Sequence, residues 1–170
     1  MVEFKVKGKV WKFGDDISTD AIISGKYKFK TLNMKELAQH AMETLNPNFA
    51  KKVNPGDLIV AGKNFGCGSS REQAPRVLKE LGISAIIAPS FARIFFRNAI
   101  NVGLPVVECE KAAKEINEKD IVEINLEKGL IKNLTQNKVY KFNPIPTFLL
   151  NILKVGGLVE YLKQYGGYEV

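Results

Sequence analysis

The sequence has few residues that could hold a metal ion or form a disulfide framework. Its 170 residues include two cysteines, Cys67 and Cys109, and a single histidine, His40. A secreted disulfide scaffold carries many more cysteines for its length, and a structural zinc site needs four ligands. We therefore predict no metal site in this chain, and any metal that the protein needs must come largely from another chain.

Long apolar runs are also absent. No segment approaches the roughly 18 to 20 apolar residues that span a bilayer. The start of the chain, MVEFKVKGKVWKF, alternates charged with apolar residues and lacks the unbroken apolar stretch of a signal peptide. Apolar residues make up 45% and charged residues 25% of the sequence, which excludes the disordered and collagen-like classes. We expect a cytoplasmic protein with no membrane partner.

Arginine is scarce among the positive charges. The chain has 25 Lys+Arg against 18 Asp+Glu, for a net charge of +7. The lysines are spread along the sequence, a distribution that indicates solubility or a high growth temperature rather than nucleic-acid binding. All four arginines (Arg71, Arg76, Arg93 and Arg97) fall between residues 71 and 97. Because the planar guanidinium group suits carboxylates, this window is the first place to look for chemistry.

The order of predicted elements indicates an α/β fold in one domain, residues 1–170. No internal repeat, linker or block of like charge divides the chain. Strands and helices alternate between residues 57 and 108, which is typical of parallel strands, and the other strands add a mixed or separate sheet. The predicted strands are 3–13, 57–62, 84–88, 104–108, 121–126 and 130–142. The predicted helices are 34–45, 71–81, 90–102, 147–154 and 158–165.

The strongest local signal is the segment NFGCGSSRE, residues 64–72, between a predicted strand and a predicted helix. Gly66 and Gly68 allow a tight turn and close approach to a ligand. Ser69 and Ser70 would lie at the helix start, where free N–H groups favour an anion, and Arg71 adds a bidentate donor. These features predict a carboxylate or phosphate site. The Walker spacing is absent.

A purely structural alternative exists for the same segment. Ser69 with Glu72, or Ser70 with Gln73, has the spacing of a capping box and would explain the serines without a ligand.

Three other segments are candidates for function. GDDISTD (14–20) carries three carboxylates that could bind a metal, transfer protons or pair with the arginines, or form a polar turn. In SFARIFFRN (90–98), Arg93 and Arg97 share a helix face and are interpreted as holding a neighbouring loop rather than substrate. KYKFK (26–30) could be a strand with a basic face, a nucleic-acid patch or a lid over an acidic ligand. His40 is interpreted as structural or exposed to solvent.

These segments resemble the small subunits of the isopropylmalate isomerase and homoaconitase group, within the aconitase superfamily. The resemblance rests on GDDISTDAII (14–23), NFGCGSSRE (64–72), SFARIFFRNAINVGLP (90–105) and the closing GGLVEYLK (156–163). It implies a swivelling β/β/α domain with a mixed sheet, which caps a large subunit holding a [4Fe–4S] cluster through three cysteines. The implied reaction dehydrates a hydroxy-di- or tricarboxylic acid and rehydrates it at the neighbouring carbon.

The resemblance also implies roles for particular residues. Ser69 matches the family's catalytic base, acting as its alkoxide, and Asp20 matches an active-site aspartate. Ser70 and Arg71 match ligands of the substrate carboxylate. A serine base requires a stabilised oxyanion, which helix N–H groups and Arg71 would provide.

The substrate loop departs from the family pattern. Relatives usually have Pro-Gly-Arg-Tyr-Leu where this chain has residues 24–28, Ser-Gly-Lys-Tyr-Lys. Homoaconitase-type loops place arginine two positions after the tyrosine, whereas this chain has Phe29. The loop residues expected to bind substrate are Lys26, Tyr27, Lys28 and Phe29. We favour an isopropylmalate dehydratase small subunit in leucine biosynthesis. The alternatives are a homoaconitase or dimethylmalate-type dehydratase subunit, or a non-catalytic anion- or RNA-binding module.

Overall fold

The computed structural model describes residues 3–166 as a seven-stranded sheet with helices on its faces. The strands are β1 (Lys5–Lys12), β2 (Leu58–Val60), β3 (Ala85–Ala88), β4 (Val106–Glu108), β5 (Ile121–Asn125), β6 (Leu130–Asn133) and β7 (Lys138–Lys141). The helices are α1 (Thr19–Ile22), α2 (Gly25–Lys28), α3 (Met34–Ala38), α4 (Phe49–Lys52), α5 (Gln73–Glu80), α6 (Arg93–Asn101), α7 (Glu110–Glu115), α8 (Thr147–Lys154) and α9 (Leu158–Tyr165).

The sheet is mixed, and its central strand β1 joins a parallel half to an antiparallel half. The strand order is β4-β3-β2-β1-β5-β6-β7. Val10–Lys12 of β1 pair in parallel with β2, which continues in parallel to β3 and β4. Lys5–Lys9 pair with β5 in antiparallel, and β6 and β7 extend that half. The predicted α/β class and the parallel strands between residues 57 and 108 are therefore confirmed.

Burial on both faces explains the continuous apolar sequence of the parallel strands. Ile59 and Ile86 face one core, which α5 and α6 cover, whereas Leu58 and Ile87 face a second core that includes Ala112 of α7. Alternate residues of a strand point to opposite faces, so a strand covered on both faces has no polar positions. Across residues 3–166, no helix is both long and apolar enough to cross a membrane.

Several predicted boundaries differ from the structure. The helix predicted over 34–45 begins as expected, because the Asn33 side chain accepts hydrogen bonds from the first-turn N–H groups, but it ends at Ala38. Met42 has a φ of 60° and donates its N–H to the Ile22 carbonyl, which turns the chain out of the helix. The strand predicted over 130–142 is a hairpin of β6 and β7, with Asn137 at a φ of 56° in the turn.

Four helices were not predicted from the sequence: α1, α2, α4 and α7. The first three are four residues long, too short to show a 3.6-residue apolar period. Helix α7 has six residues and buries two alanines, a weak apolar signal. Residues 14–32 lie outside the predicted helices and strands, yet they contain α1 and α2. The strand proposed as one possibility for residues 26–30 is therefore wrong.

Candidate active site

Three loops that leave the carboxyl ends of parallel strands form the candidate site. Residues 14–20 follow β1, residues 64–72 follow β2, and residues 90–92 follow β3. They belong to three of the four segments that the sequence indicated as candidates, and the fourth is residues 26–30. The carboxyl ends of parallel strands are the usual place for ligands in open α/β sheets, because the connecting loops gather there.

Backbone hydrogen bonds hold the first two loops together. The Gly66 N–H donates to the Ile17 carbonyl at 2.7 Å, and the Thr19 N–H donates to the Cys67 carbonyl at 2.8 Å. The Thr19 hydroxyl also donates to the Ser69 carbonyl at 2.9 Å. The 64–72 loop is thus fixed along the start of α1.

The third loop binds the other side of the 64–72 loop. The Ala92 N–H donates to the Phe65 carbonyl at 2.9 Å, which brings α6 directly against the loop. Gly66 has a φ of +82°, and a Cβ at this position would lie 2.1 Å from the ring of Phe95 on α6. Only glycine allows this approach. Its presence therefore fixes how close the loop comes to the start of α6.

Arg71 is held by an ion pair with Asp20. Arg71 Nη1 donates to Asp20 Oδ1 at 2.5 Å and to the Ile23 carbonyl at 3.4 Å. The Arg71 hydrogen bond, followed by one from the Gly25 N–H at 3.3 Å, lowers the pKa of Asp20. Of the interpretations left open for the three aspartates, pairing with arginine is the one observed for Asp20.

The other two aspartates brace the loop instead. Asp15 Oδ1 accepts a hydrogen bond from the Lys63 N–H at 2.9 Å, and Asp16 Oδ1 accepts one from the Asn64 side chain at 3.1 Å. The three carboxylates therefore point to different partners. Within residues 3–166, no three His, Cys, Asp or Glu side chains lie together as a metal site would require.

Both serines present free hydroxyls to solvent. Ser69 and Ser70 are exposed, and neither hydroxyl forms a hydrogen bond within the described part of the chain. Helix α5 begins only at Gln73, and its N-cap residue Glu72 makes no side-chain capping bond. The capping-box alternative is therefore wrong. So is the expectation that the serines lie at the start of that helix.

A different helix faces the serines. A cavity of about 180 Å³, here called the serine cavity, is lined by Ser69, Ser70 and Arg71 on one side and by residues 92–95 on the other. Residues 92–95 are the N-cap and first turn of α6, whose cap forms no side-chain hydrogen bond. Free N–H groups and the positive end of the helix dipole favour an anion in this cavity. The sequence pattern predicted an anion site at the start of the helix over 71–81, which corresponds to α5.

The predicted substrate loop lies beside the serine cavity but does not line it. A Cβ on Gly25, at the start of α2, would be 3.6 Å from Arg71 Nη2. Tyr27 stacks on His40 with ring centroids 3.7 Å apart, and Lys26 Nζ lies 4.7 Å from the Tyr27 centroid. Phe29, the C-cap residue that follows α2, is 86% exposed. Lys28 lies in α2 between them.

His40 has a structural role, one of the two that the sequence indicated. Its Nδ1 lies 3.0 Å from Glu43 Oε2, and its ring supports Tyr27. Hydrogen bonds from Tyr27 and then from His40 lower the pKa of Glu43. These contacts hold α2 against the turn that follows α3.

Comparison with known proteins identifies the family. The aconitase C-terminal domain family matches residues 15–112, which include the three site loops apart from Gly14. A 3-isopropylmalate dehydratase small subunit of Thermotoga maritima is 59% identical over 163 residues, covering 96% of this chain and 98% of the relative. The chain belongs to the family of 3-isopropylmalate dehydratase small subunits. The family and fold that the sequence motifs implied are thereby confirmed.

Other members of this family agree in sequence and structure. An isopropylmalate/citramalate isomerase small subunit of Methanocaldococcus jannaschii is 57% identical over 94% of each chain. The crystal structure of a 3-isopropylmalate dehydratase from the same organism superposes with a TM-score of 0.90 and 52% identity, covering 96% of both chains. Aconitase X of Thermococcus kodakaraensis, at 14% identity and a TM-score of 0.51, shares the fold alone.

The cysteines of this family member do not form a cluster site. Cys67 lies in the 64–72 loop, whereas Cys109 is buried after β4, where its Sγ contacts the Lys141 carbonyl at 3.7 Å. An iron–sulfur cluster needs three or four thiolates. The residues of this chain therefore do not fit such a group.

Two contributions to the site were not predicted from the sequence. Thr19, which is buried, anchors the Ser69 carbonyl, and Arg93 lines the serine cavity from the first turn of α6. Arg93 and Arg97 were interpreted as holding a neighbouring loop, but within residues 3–166 neither side chain forms a hydrogen bond or ion pair. That interpretation is wrong. The adjacency of Arg93 to a predicted strand end was the signal that could have placed it in the site.

Proposed function

We propose that this chain is the small subunit of a cytoplasmic hydro-lyase that converts 3-isopropylmalate by dehydration and rehydration in leucine biosynthesis. The convergence of Ser69, Ser70, Arg71 and the start of α6 on one small cavity carries the proposal. The names and high identity of the relatives support it. A large subunit is the partner, and we propose that it holds the [4Fe–4S] cluster, since this chain has only two cysteines and a cluster needs three or four thiolates.

Ser69 is the proposed base. In the dehydration, the Ser69 alkoxide takes the proton from the carbon beside a carboxylate, and that C–H electron pair forms the double bond. The neighbouring hydroxyl leaves with the C–O pair as hydroxide, which takes up the serine proton to become water and so restores the alkoxide. Rehydration reverses these steps with the hydroxyl on the other carbon. The free N–H groups of α6 and the nearby guanidinium groups stabilise the serine oxyanion, because preorganised donors are strong in an enclosed site.

Arg71 and Ser70 are the proposed ligands of a substrate carboxylate. A guanidinium group can bind a carboxylate with two parallel hydrogen bonds. Asp20 fixes the orientation of that group through Nη1, since the ion pair and the Gly25 N–H hold the carboxylate itself in place. In this proposal Asp20 acts by positioning Arg71.

Phe29 is the proposed reader of the substrate's variable substituent, with Lys26, Tyr27 and Lys28 beside it. A Cβ on Gly25 would lie 3.6 Å from Arg71 Nη2, so α2 begins beside the guanidinium group that is proposed to hold the substrate. An apolar ring favours an isopropyl group, whereas a third carboxylate would need a fixed cation. The apolar ring of Phe29 therefore supports 3-isopropylmalate rather than homoaconitate as the substrate.

The test compares substrates on the enzyme assembled with its large subunit under anaerobic conditions. We expect kcat/KM for 3-isopropylmalate to exceed that for homoaconitate, and Phe29→Arg to shift the ratio about tenfold or more toward the tricarboxylate. Leu32→Arg is the matched control, since Leu32 is 92% exposed and follows the same loop. A wild-type preference for homoaconitate, or equal shifts in both variants, would contradict the role of Phe29.

A further inference from the structure

One side of α6 is exposed although the rest of the helix is buried. Phe95, Ala99 and Ile100 pack into the core, whereas Ile94 is 51% exposed and Arg93 and Arg97 extend from the same side. These exposed residues line a groove of about 610 Å³, here called the α6 groove, together with Phe91, Phe96 and Glu108. The groove thus combines aromatic and aliphatic surface with two guanidinium groups.

The two arginines of the α6 groove differ from the other two in the chain. Arg71 pairs with Asp20 at 2.5 Å and Arg76 pairs with Glu72 at 2.6 Å. Arg93 and Arg97 have no ion pair among residues 3–166, and Glu108, which lines the same groove, is not within 4.0 Å of either. Unpaired arginines beside apolar surface are typical of protein interfaces, where they meet carboxylates.

The α6 groove is continuous with the serine cavity. Arg93 and Ile94 line both spaces. The serines of the cavity are exposed to solvent in this chain, yet the proposed reaction needs a site from which bulk solvent is excluded. A partner surface that closes the serine cavity therefore meets Arg93 and Ile94 first and continues along α6 to Arg97.

From this juxtaposition we propose that the α6 groove is a docking surface for the large subunit. An apolar side chain of that subunit fills the space beside Phe91, Ile94 and Phe96, and its acidic side chains pair with Arg93 and Arg97. The inference rests on the proposed function, because it names the surface through which the two subunits of that enzyme associate.

The test measures the dissociation constant of the two purified subunits and the kcat of the mixture. Arg97→Glu and Ile94→Asp are the test variants, since Arg97 does not line the serine cavity and both side chains are exposed. Lys141→Glu is the control, because it makes a comparable charge change on the exposed edge strand β7. We expect at least a tenfold rise in Kd for both test variants and no change for the control.

Two further measurements distinguish an effect on subunit docking from an effect on catalysis. At saturating large subunit, kcat of Arg97→Glu should recover to the wild-type value, and its Kd should depend less on salt than that of the wild type. Wild-type binding by both test variants, or a reduced kcat at an unchanged Kd, would overturn the docking surface while leaving the proposed function intact. Failure of the wild-type subunits to associate would instead overturn the proposed function.

Discussion

Arg71 and Ser69 are held in the site by different kinds of contact, an ion pair and a backbone hydrogen bond. Arg71 is fixed by a charged partner and Ser69 by its own backbone carbonyl, while both serine hydroxyls stay free. A base needs this combination of a fixed backbone and an unengaged oxygen, because a hydroxyl already donating elsewhere must first break that bond. The contacts of single residues therefore distinguish the group proposed to react from the groups that hold the site in position.

Replacement of Ser69, the proposed base, tests that distinction. Ser69→Ala should lower kcat of the assembled enzyme about 100-fold or more, because the group proposed to take the proton is removed. The free energy of unfolding should change by less than about 0.5 kcal/mol, since the hydroxyl is exposed and caps no helix. Steady-state kinetics and urea unfolding measure the two effects. A near-normal kcat would show that another group takes the proton.

The ion pair in the site predicts a pH dependence. Arg71 first, and then the Gly25 N–H, lowers the pKa of Asp20 from its usual 3.8. A lowered folded-state pKa means that the contribution of Asp20 to stability is complete above the unfolded pKa and is lost as pH falls through the folded pKa. The stability difference between wild type and Asp20→Asn should thus shrink below about pH 4.

Carboxylate NMR titration checks the cause of this shift. In Arg71→Gln, the pKa of Asp20 should rise toward 3.8. An unchanged pKa in that variant would mean that the Gly25 N–H alone holds the carboxylate charged.

The sequence indicated Asp20 and Arg71 as site residues by their type and motif, but their pairing could not be predicted. Three aspartates in seven residues offered equivalent carboxylates. Asp15 and Asp16 are taken up by the Lys63 backbone and the Asn64 side chain only because β1 and β2 are neighbours in the sheet. Which aspartate pairs with Arg71 thus depends on the strand order, and a single sequence does not reveal that order.

At the scale of elements, the position of α6 defines the site. The sequence predicted α6 as a helix over 90–102, and the structure has it at Arg93–Asn101. The N-terminus of α6 faces the serines, and that of α5 does not. This arrangement could not be predicted, because it depends on the contact between Gly66 and Phe95. The apolar period of a helix reveals its buried face and carries no information about what its end approaches.

A pair of glycine substitutions tests this contact. Gly66→Ala should lower the free energy of unfolding by about 3 kcal/mol or more, since it adds a clash with the Phe95 ring to a strained backbone at φ +82°. Gly68→Ala has a similar φ of +93°, but its Cβ would be 3.7 Å from the nearest atom, so about 1–2 kcal/mol is expected. Equal losses in denaturant unfolding would contradict the packing argument.

The molecule as a whole provides one side of the proposed catalytic site. Its parallel half gathers the three loops at one edge of the sheet, and its antiparallel half extends away from them. The fold class followed from alternating strands and helices, whereas the hairpin of β6 and β7 was missed because no glycine or proline marks its turn. The serine cavity, exposed at this edge, needs a second surface to exclude water.

The most direct test of the account is the rate of isopropylmalate dehydration with the two subunits assayed separately and mixed under anaerobic conditions. Ultraviolet absorbance of the unsaturated dicarboxylate follows the reaction. The account predicts turnover only in the mixture, increasing with added small subunit to a plateau at equal amounts, and little turnover when Ser69→Ala replaces the wild-type chain. Turnover by either subunit alone, or an equal rate with Ser69→Ala, would contradict it.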